Sequence, residues 1–190
     1  LMDEATEAWD KAMANLGTMT ERERLRTQGI YYWGVTQNFQ KAIETYETLV
    51  EKYPADFVGR NNLAIVKFYA LDFAGAVEEG KQALQIYPTN AIARSNYALY
   101  AMYSSDLSTA VADAQTGRAL DPTWVAEWLP IAMQALSEGD LSAGRAAYEC
   151  MRATGSRGAS TVCIGFADLE MFAGDFGRAR ESLEKEIPKD

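Results

Sequence analysis

Few side chains in this 190-residue sequence could carry out acid–base catalysis. No histidine is present, which removes the commonest general base and metal ligand. A Ser-His-Asp or Cys-His centre is therefore excluded within the segment. The carboxylate pairs Glu78-Glu79 and Glu181-Glu184 lie in segments with a helical pattern. Because charged pairs on helices usually face water, we expect them on a solvated outer surface, and we expect no enzymatic activity from this segment.

The two cysteines offer little more. Cys150 and Cys163 are too few and too far apart for a zinc site in a chain without histidine. A disulfide would need them to face each other across a helix pair, which their spacing does not establish. We predict free, mostly buried thiols, with no metal site and no cofactor.

Phosphate, nucleic-acid and membrane partners are also disfavoured. The glycine-containing segment TGSRG (154–158) lacks the lysine of a P-loop and a preceding strand, so we interpret it as a turn between repeats. The net charge of −9 opposes binding to a phosphate backbone, and the most basic stretch, RERLR (22–26), is interleaved with acids. No apolar run approaches the roughly 18 to 20 residues of a membrane span, so no membrane insertion of this segment is expected.

A repeat of about 34 residues organises the whole chain. Small residues recur at this spacing, with one step of 35, at Ala42, Ala76, Ala110, Gly144 and Ala179. An apolar residue stands three positions before each of them and directly follows an Asn or Asp. These polar residues are predicted to cap the helix that follows, and they are Asn38, Asp72, Asp106, Asp140 and Asp175.

Each unit is predicted to contain two antiparallel helices. Pro54, Pro88 and Pro122 end the capped helix of the first three units, and a second helical pattern follows, as in FVGRNNLAIVKFYAL (57–71). The predicted fold is all-α, with about five helix pairs. A half repeat and linker (1–20) come first, and the units are 21–56, 57–90, 91–124, 125–158 and 159–190.

This pattern resembles the tetratricopeptide repeat, a helical hairpin with small and large residues and a proline at set offsets. The second unit matches at Leu63, Ala64, Phe73, Ala76, Ala83 and Pro88, and the likeness covers almost the whole chain. The resemblance implies a right-handed superhelical solenoid. It also implies that the first helix of each unit lines a concave groove, whose walls here are mostly apolar.

The resemblance implies a set of groove residues, which we call the inner-face positions. The basic residues with which some family members hold acidic chaperone tails are absent from them. An apolar groove with adaptable methionines suits a hydrophobic peptide or helix. Alternatively, tight winding buries these residues against neighbouring first helices. The inner-face positions are Val58, Asn61, Ile65, Phe68, Tyr69, Ile92, Ser95, Leu99, Met102, Tyr103, Ala126, Leu129, Met133, Leu136, Ser137, Thr161, Ile164, Asp168, Met171 and Phe172; in the first unit, where the register is ambiguous by one residue, they are Thr27, Tyr31 and Val35.

Both ends of the chain have the pattern of an interrupted array. The segment EATEAWDKAM (4–13) has the spacing of a second helix without its partner, and EKEIPKD (184–190) is not followed by a polar closing helix. We interpret the chain as a fragment of a longer protein. Its apolar end helices are expected to form a homodimer, and sedimentation showing only monomer at high concentration would contradict that expectation.

The segment TERERLRTQGIYYWGVTQNFQKAIETYETLVEKYPAD is similar to repeat arrays carboxy-terminal to bacterial eukaryotic-like serine/threonine kinases. Residues 20–24, 31–32, 41–47, 53–56 and 61–63 carry the likeness. It implies a regulatory or partner-recruiting module of a signalling protein whose kinase domain lies outside this segment. The compartment is cytoplasmic or, if a membrane span precedes the array, periplasmic.

The sequence thus predicts a non-catalytic protein–protein interaction scaffold. A secretion-type chaperone would use a similar groove, and a small-molecule sensor would use it as a pocket.

Overall fold

The structure consists of helices stacked in pairs. The computed structural model describes residues 2–123, 128–152 and 156–184, without the side chains of 2–6, 156–161 and 163. Every regular element in these residues is helical, which confirms the all-α prediction, and none of the described helices is long and apolar enough to cross a membrane. The α-helices are α1 (Met2–Ala14), α2 (Glu21–Ile30), α3 (Phe39–Lys52), α4 (Phe57–Tyr69), α5 (Phe73–Ile86), α6 (Ala91–Tyr103), α7 (Leu107–Leu120), α8 (Trp128–Ser137), α9 (Leu141–Arg152), α10 (Ser156–Phe172) and α11 (Phe176–Glu184).

Packing alternates along the chain. Helix α2 packs on α3, α4 on α5, α6 on α7, α8 on α9 and α10 on α11, and each pair packs on the next. Such nearest-neighbour packing is that of a helical repeat. Helix α10 begins at Ser156, so the interpretation of 154–158 as a turn is wrong for its last three residues.

The predicted N-caps are confirmed. The side chains of Asn38, Asp72 and Asp106 accept hydrogen bonds, 2.9 to 3.1 Å long, from backbone amides three residues later. Asp140 and Asp175 do the same for α9 and α11. Caps on the other helices of the pairs were not predicted: Asp56 caps α4, Asn90 caps α6, and Thr20 forms a capping box with Glu23 at α2.

The turn inside each pair has one backbone geometry. The residue before each cap has a positive φ, and these residues recur at steps of 34 and finally 35: Gln37 (52°), Leu71 (65°), Ser105 (66°), Gly139 (79°) and Gly174 (80°). Residues with a Cβ are strained in this left-handed conformation, whereas glycine is not. The repeat therefore fixes the turn geometry even where the sequence lacks glycine.

The core runs along the stack between the helices. Ala42, Ala76 and Ala110 are completely buried, as the 34-residue spacing of small residues predicts. Ala64 and Ala76 pack against Tyr100 of the next pair. Small residues let the helix backbones approach, and the larger neighbours fill the space beside them.

One buried ion cluster joins the first two pairs. The carboxylate of Asp56 is buried and accepts hydrogen bonds from Arg22 Nε (2.6 Å), from Arg26 Nη2 (2.7 Å) and from the Gly59 amide (2.8 Å). Burial by itself raises the pKa of Asp56, but the hydrogen bonds from Arg26, Gly59 and Arg22 outweigh it and hold the pKa below its usual value. The cluster fixes α2 against the start of α4.

We expect Asp56→Asn to lower the free energy of unfolding by about 2 kcal/mol at pH 7, because asparagine keeps the cap but loses the charged hydrogen bonds. Asp72→Asn is the matched control, since Asp72 is an exposed cap that makes no arginine contact within the described residues. A group with a lowered folded-state pKa stabilises the fold above its unfolded pKa, about 3.9, and this contribution is lost as the pH falls through the folded value. Urea unfolding should show the difference shrinking below about pH 4. An equal loss in both variants would contradict the role of the arginines.

Candidate functional site

The residues with catalytic potential are dispersed. Glu78, Glu181 and Glu184 are exposed as expected. The expectation is wrong for Glu79, which is largely buried because Arg60 Nη1 (2.8 Å) and Lys67 Nζ (3.7 Å) of α4 contact its carboxylate. Among the described residues, no group of three or more His, Cys, Asp or Glu side chains could hold a metal ion.

The prediction of buried thiols is wrong for Cys150, which is a free and exposed cysteine. The buried residues of α9 are Gly144, Ala147, Tyr148 and Met151. Cys150 lies between the last two but points away from the face that they form. The side chain of Cys163 lies outside the described residues.

Most inner-face positions are accessible to solvent, so the winding of the stack does not bury this surface. Nine are exposed: Val58, Tyr69, Ile92, Tyr103, Met133, Ile164, Asp168, Met171 and Phe172. Six are partly exposed: Asn61, Ile65, Phe68, Leu99, Met102 and Leu129. Of the secondary positions, Ser137 and Val35 are exposed and Thr27 and Tyr31 are partly exposed, while Ala126 and the side chain of Thr161 lie outside the described residues.

Two inner-face positions are buried and contribute no accessible surface. Leu136 belongs to a core cluster with Tyr148 and Leu169, because α8 packs closely on the helices that follow it. Ser95 lies in α6, a central helix with buried residues on several sides, and no hydrogen-bond partner for its hydroxyl is present among the described residues. The prediction that Ser95 and Leu136 line an accessible groove is therefore wrong.

A π-helical turn, Tyr31–Val35, follows α2. The Asn38 amide donates to the carbonyl of Tyr32, six residues back, whereas the equivalent Asp72 amide donates to Lys67, five residues back. The first helix of the first pair therefore accommodates one extra residue. This insertion accounts for the ambiguous register of the first unit, and no local sequence signal identified it.

Aromatic rings line the inner face of the first three pairs. The ring centroid of Trp33 lies 6.0 Å from that of Tyr69, and that of Phe68 lies 5.1 Å from that of Tyr103. Phe73 supports Tyr103 from the turn at a centroid distance of 5.4 Å. Tyr69 and Tyr103 keep about half of their surface exposed, so the rings are packed against one another and still accessible.

A cavity of about 480 Å³ continues this surface between α6, α8 and α10. Six of its lining residues are inner-face positions: Met102, Tyr103, Leu129, Met133, Ile164 and Asp168. Tyr148 and Gly165 also line it and were missed by the sequence reasoning. They pack so closely that a Cβ on Gly165 would lie 2.4 Å from Tyr148 Cε1.

Asp168 is the only charged residue among the described residues that line the cavity. Neither an ion pair nor a hydrogen bond to its carboxylate occurs within the described part of the chain. Burial raises the pKa of the neighbouring Tyr148 hydroxyl, and the negative charge of Asp168 raises it further. Within the part of the chain that the structure describes, the cavity thus combines apolar walls with one solvent-exposed carboxylate that has no protein partner.

Comparison with known proteins identifies the fold. No protein-family model matches the chain, and no curated protein matches it by sequence. Solved structures do match, at low identity. A tetratricopeptide repeat protein from Parabacteroides merdae has a TM-score of 0.78 and 17% identity over 94% of this chain and 70% of its own. PilW, described as a type IV pilus biogenesis factor, has a TM-score of 0.77 and 15% identity over 98% of this chain and 90% of its own. MamA has a TM-score of 0.70 and 16% identity over 87% of this chain and 89% of its own. The fold is therefore a helical repeat solenoid of the tetratricopeptide type.

Gly165→Ala should lower the free energy of unfolding by about 1 to 2 kcal/mol, because the added methyl group collides with the Tyr148 ring. Gly177→Ala in α11 is the matched control: its Cβ would make only an ordinary contact at 3.6 Å, and alanine favours a helix by up to about 1 kcal/mol. Urea unfolding followed by circular dichroism measures both. An unchanged Gly165→Ala variant would show that Tyr148 can move aside freely.

Proposed function

We propose that the chain is a protein–protein interaction scaffold that binds a peptide or helix of a partner protein along its inner face. The observation that carries this proposal is the continuous apolar surface from Tyr69 through Tyr103 to the cavity between α6, α8 and α10. Soluble proteins rarely expose large contiguous apolar surfaces unless the surface binds something.

The composition of this surface suits a polypeptide ligand. Aromatic rings at Tyr69 and Tyr103 offer large, rigid contact areas that lose little conformational entropy on binding. Methionines at positions 102, 133 and 171 adapt to irregular apolar shapes. An amphipathic helix or an extended apolar segment could therefore fit without a rigid complementary pocket at every position.

The comparisons support this role by analogy only, since fold alone does not determine function. PilW, which shares the fold, is described as a type IV pilus biogenesis factor. The same fold here offers an inner surface on which most of the described inner-face positions are accessible to solvent. This accessible apolar surface favours the binding of a partner protein.

A narrower role follows from the sequence resemblance over residues 20–63. We propose that the array is a regulatory or partner-recruiting module of a larger bacterial signalling protein, with any kinase domain elsewhere in that protein. The likeness of the TERER, YY and KAIETYE segments to kinase-associated arrays supports this role. This narrower role requires only that the inner face bind a protein partner.

Self-association through the end helices also stays a prediction. Phe176 occupies the repeat position of Phe73, which packs against Tyr103 of the next pair. Phe176 is 70% exposed, because no helix of the described residues covers it. A second copy could cover this ring and the neighbouring Phe172.

The second candidate function is that of a small-molecule sensor, and the cavity is the observation that supports it. Its volume of about 480 Å³ lies in the range of ligand pockets, roughly 300 to 1,000 Å³. A metabolite that raises the melting temperature, in the absence of any bound peptide, would favour this alternative.

A displayed library of random 12-residue peptides tests the scaffold proposal. We expect wild-type protein to enrich peptides, and Met133→Lys to weaken their binding by at least about tenfold, because the new ammonium group is placed in the apolar cavity. Ala119→Lys, at an exposed position of α7, is the control and should bind normally. Failure to enrich any peptide, or equal binding by both variants, would contradict binding on the inner face.

A further inference from the structure

We propose that the cavity between α6, α8 and α10 selects partner segments carrying a basic side chain, Lys or Arg, among apolar ones, and that Asp168 binds the cation. This inference rests on the proposed scaffold function and specifies the chemistry of its ligand. Some members of the tetratricopeptide family hold acidic chaperone tails with basic residues. Asp168 has the opposite charge, so the ligand proposed here is basic.

The position of Asp168 in the cavity is the first observation that supports a site for a ligand cation. Among the described residues that line the cavity, its carboxylate is the single charge, and the others are apolar or aromatic apart from Gly165. Asp168 is exposed, so water solvates its carboxylate in the free protein, while the described lining of the cavity supplies no hydrogen bonds to it. A ligand cation would supply them, and charge-assisted hydrogen bonds strengthen as water leaves the site.

No Lys or Arg among the described residues forms an ion pair with the Asp168 carboxylate. On the adjacent helix α9, Arg145 pairs with Glu170, and its guanidinium lies 5.0 Å from the centre of the Phe166 ring. Arg152 lies over the same ring at 5.1 Å. Both arginines are thus engaged away from Asp168, which leaves its charge for an external partner.

The walls of the cavity match the rest of a basic side chain. Lys and Arg have apolar stems that pack on hydrophobic surface while their charged ends reach a polar partner. Met133, Leu129 and Ile164 offer such surface beside Asp168. The half-exposed ring of Tyr103 can receive either an apolar neighbour or the cation itself.

The net charge of the chain also favours a basic ligand. The chain carries −9 at neutral pH, which attracts basic partners over long range and accelerates their association. A small organic amine would share the local chemistry. We commit to a polypeptide because the apolar surface continues beyond the cavity along Tyr103, Phe68 and Tyr69, farther than a small amine would use.

The peptides enriched from the random 12-residue library provide the test. We expect most of them to contain one Lys or Arg flanked by apolar residues. For a synthetic copy of an enriched peptide, Asp168→Asn should weaken binding about three- to tenfold, a range set by the partial exposure of the site. Replacing the basic residue of the peptide with Gln should weaken binding equally, and the two changes together should cost no more than either alone. Glu51→Gln, which removes an exposed charge on α3, is the control and should leave affinity nearly unchanged.

Each outcome decides between the two proposals. Peptides that bind wild type, fail to bind Met133→Lys, show no preference for Lys or Arg and are unaffected by Asp168→Asn would overturn this inference and leave the scaffold proposal standing. Failure to enrich any peptide would overturn both. Phenethylamine serves as a small-molecule probe: a rise in melting temperature that is absent in Asp168→Asn, without any enriched peptide, would assign the cation site to a small ligand and contradict the polypeptide proposal.

Discussion

The close crossing of the two helices within each pair is the constraint on which the rest of the structure depends. Ala42, Ala76 and Ala110 stand at these crossings and are completely buried. A larger residue would hold the helix backbones apart. The capped turn then reverses the chain with a left-handed residue at the same position in each pair. Repetition of this geometry places the first helices side by side and creates the inner face.

The inner face therefore owes its shape to the repeat and its chemistry to the residues that differ between repeats. Tyr69 and Tyr103 occupy the same repeat position and give the amino-terminal half its aromatic surface. Farther along, Ile65 and Leu99 are replaced by Met133 and then by Asp168. The same scaffold thus changes from an aromatic surface to a methionine-rich cavity with one carboxylate. Such a gradient could give a bound segment a defined direction.

The features that sequence predicted are those that repeat locally. The caps at Asn38, Asp72 and Asp106 follow from a short motif and a fixed spacing, because a cap contacts only its own helix. The inner-face positions were implied by the resemblance to the tetratricopeptide repeat, and the same spacing carried them from unit to unit. The caps needed no knowledge of how neighbouring pairs pack.

The missed features depend on contacts between distant segments. Arg22 and Arg26 reach Asp56 across 34 and 30 residues, and sequence alone cannot select this partner among several acids. The approach of Gly165 to Tyr148 pairs an unusually small residue with a large one across two units. Burial of Ser95 and Leu136 likewise depends on the neighbours of α6 and α8. The extra residue in the π-helical turn left the 34-residue spacing unchanged and so produced no signal.

Methyl NMR of the methionines tests most directly whether the inner face is the binding surface. With labelled methionine methyl groups, addition of an enriched peptide should shift the signals of Met102 and Met133, which line the cavity. The signal of Met13, in α1 and outside the cavity lining, should stay in place. Binding that shifts Met13 while leaving Met102 and Met133 unchanged would place the ligand elsewhere and contradict the account.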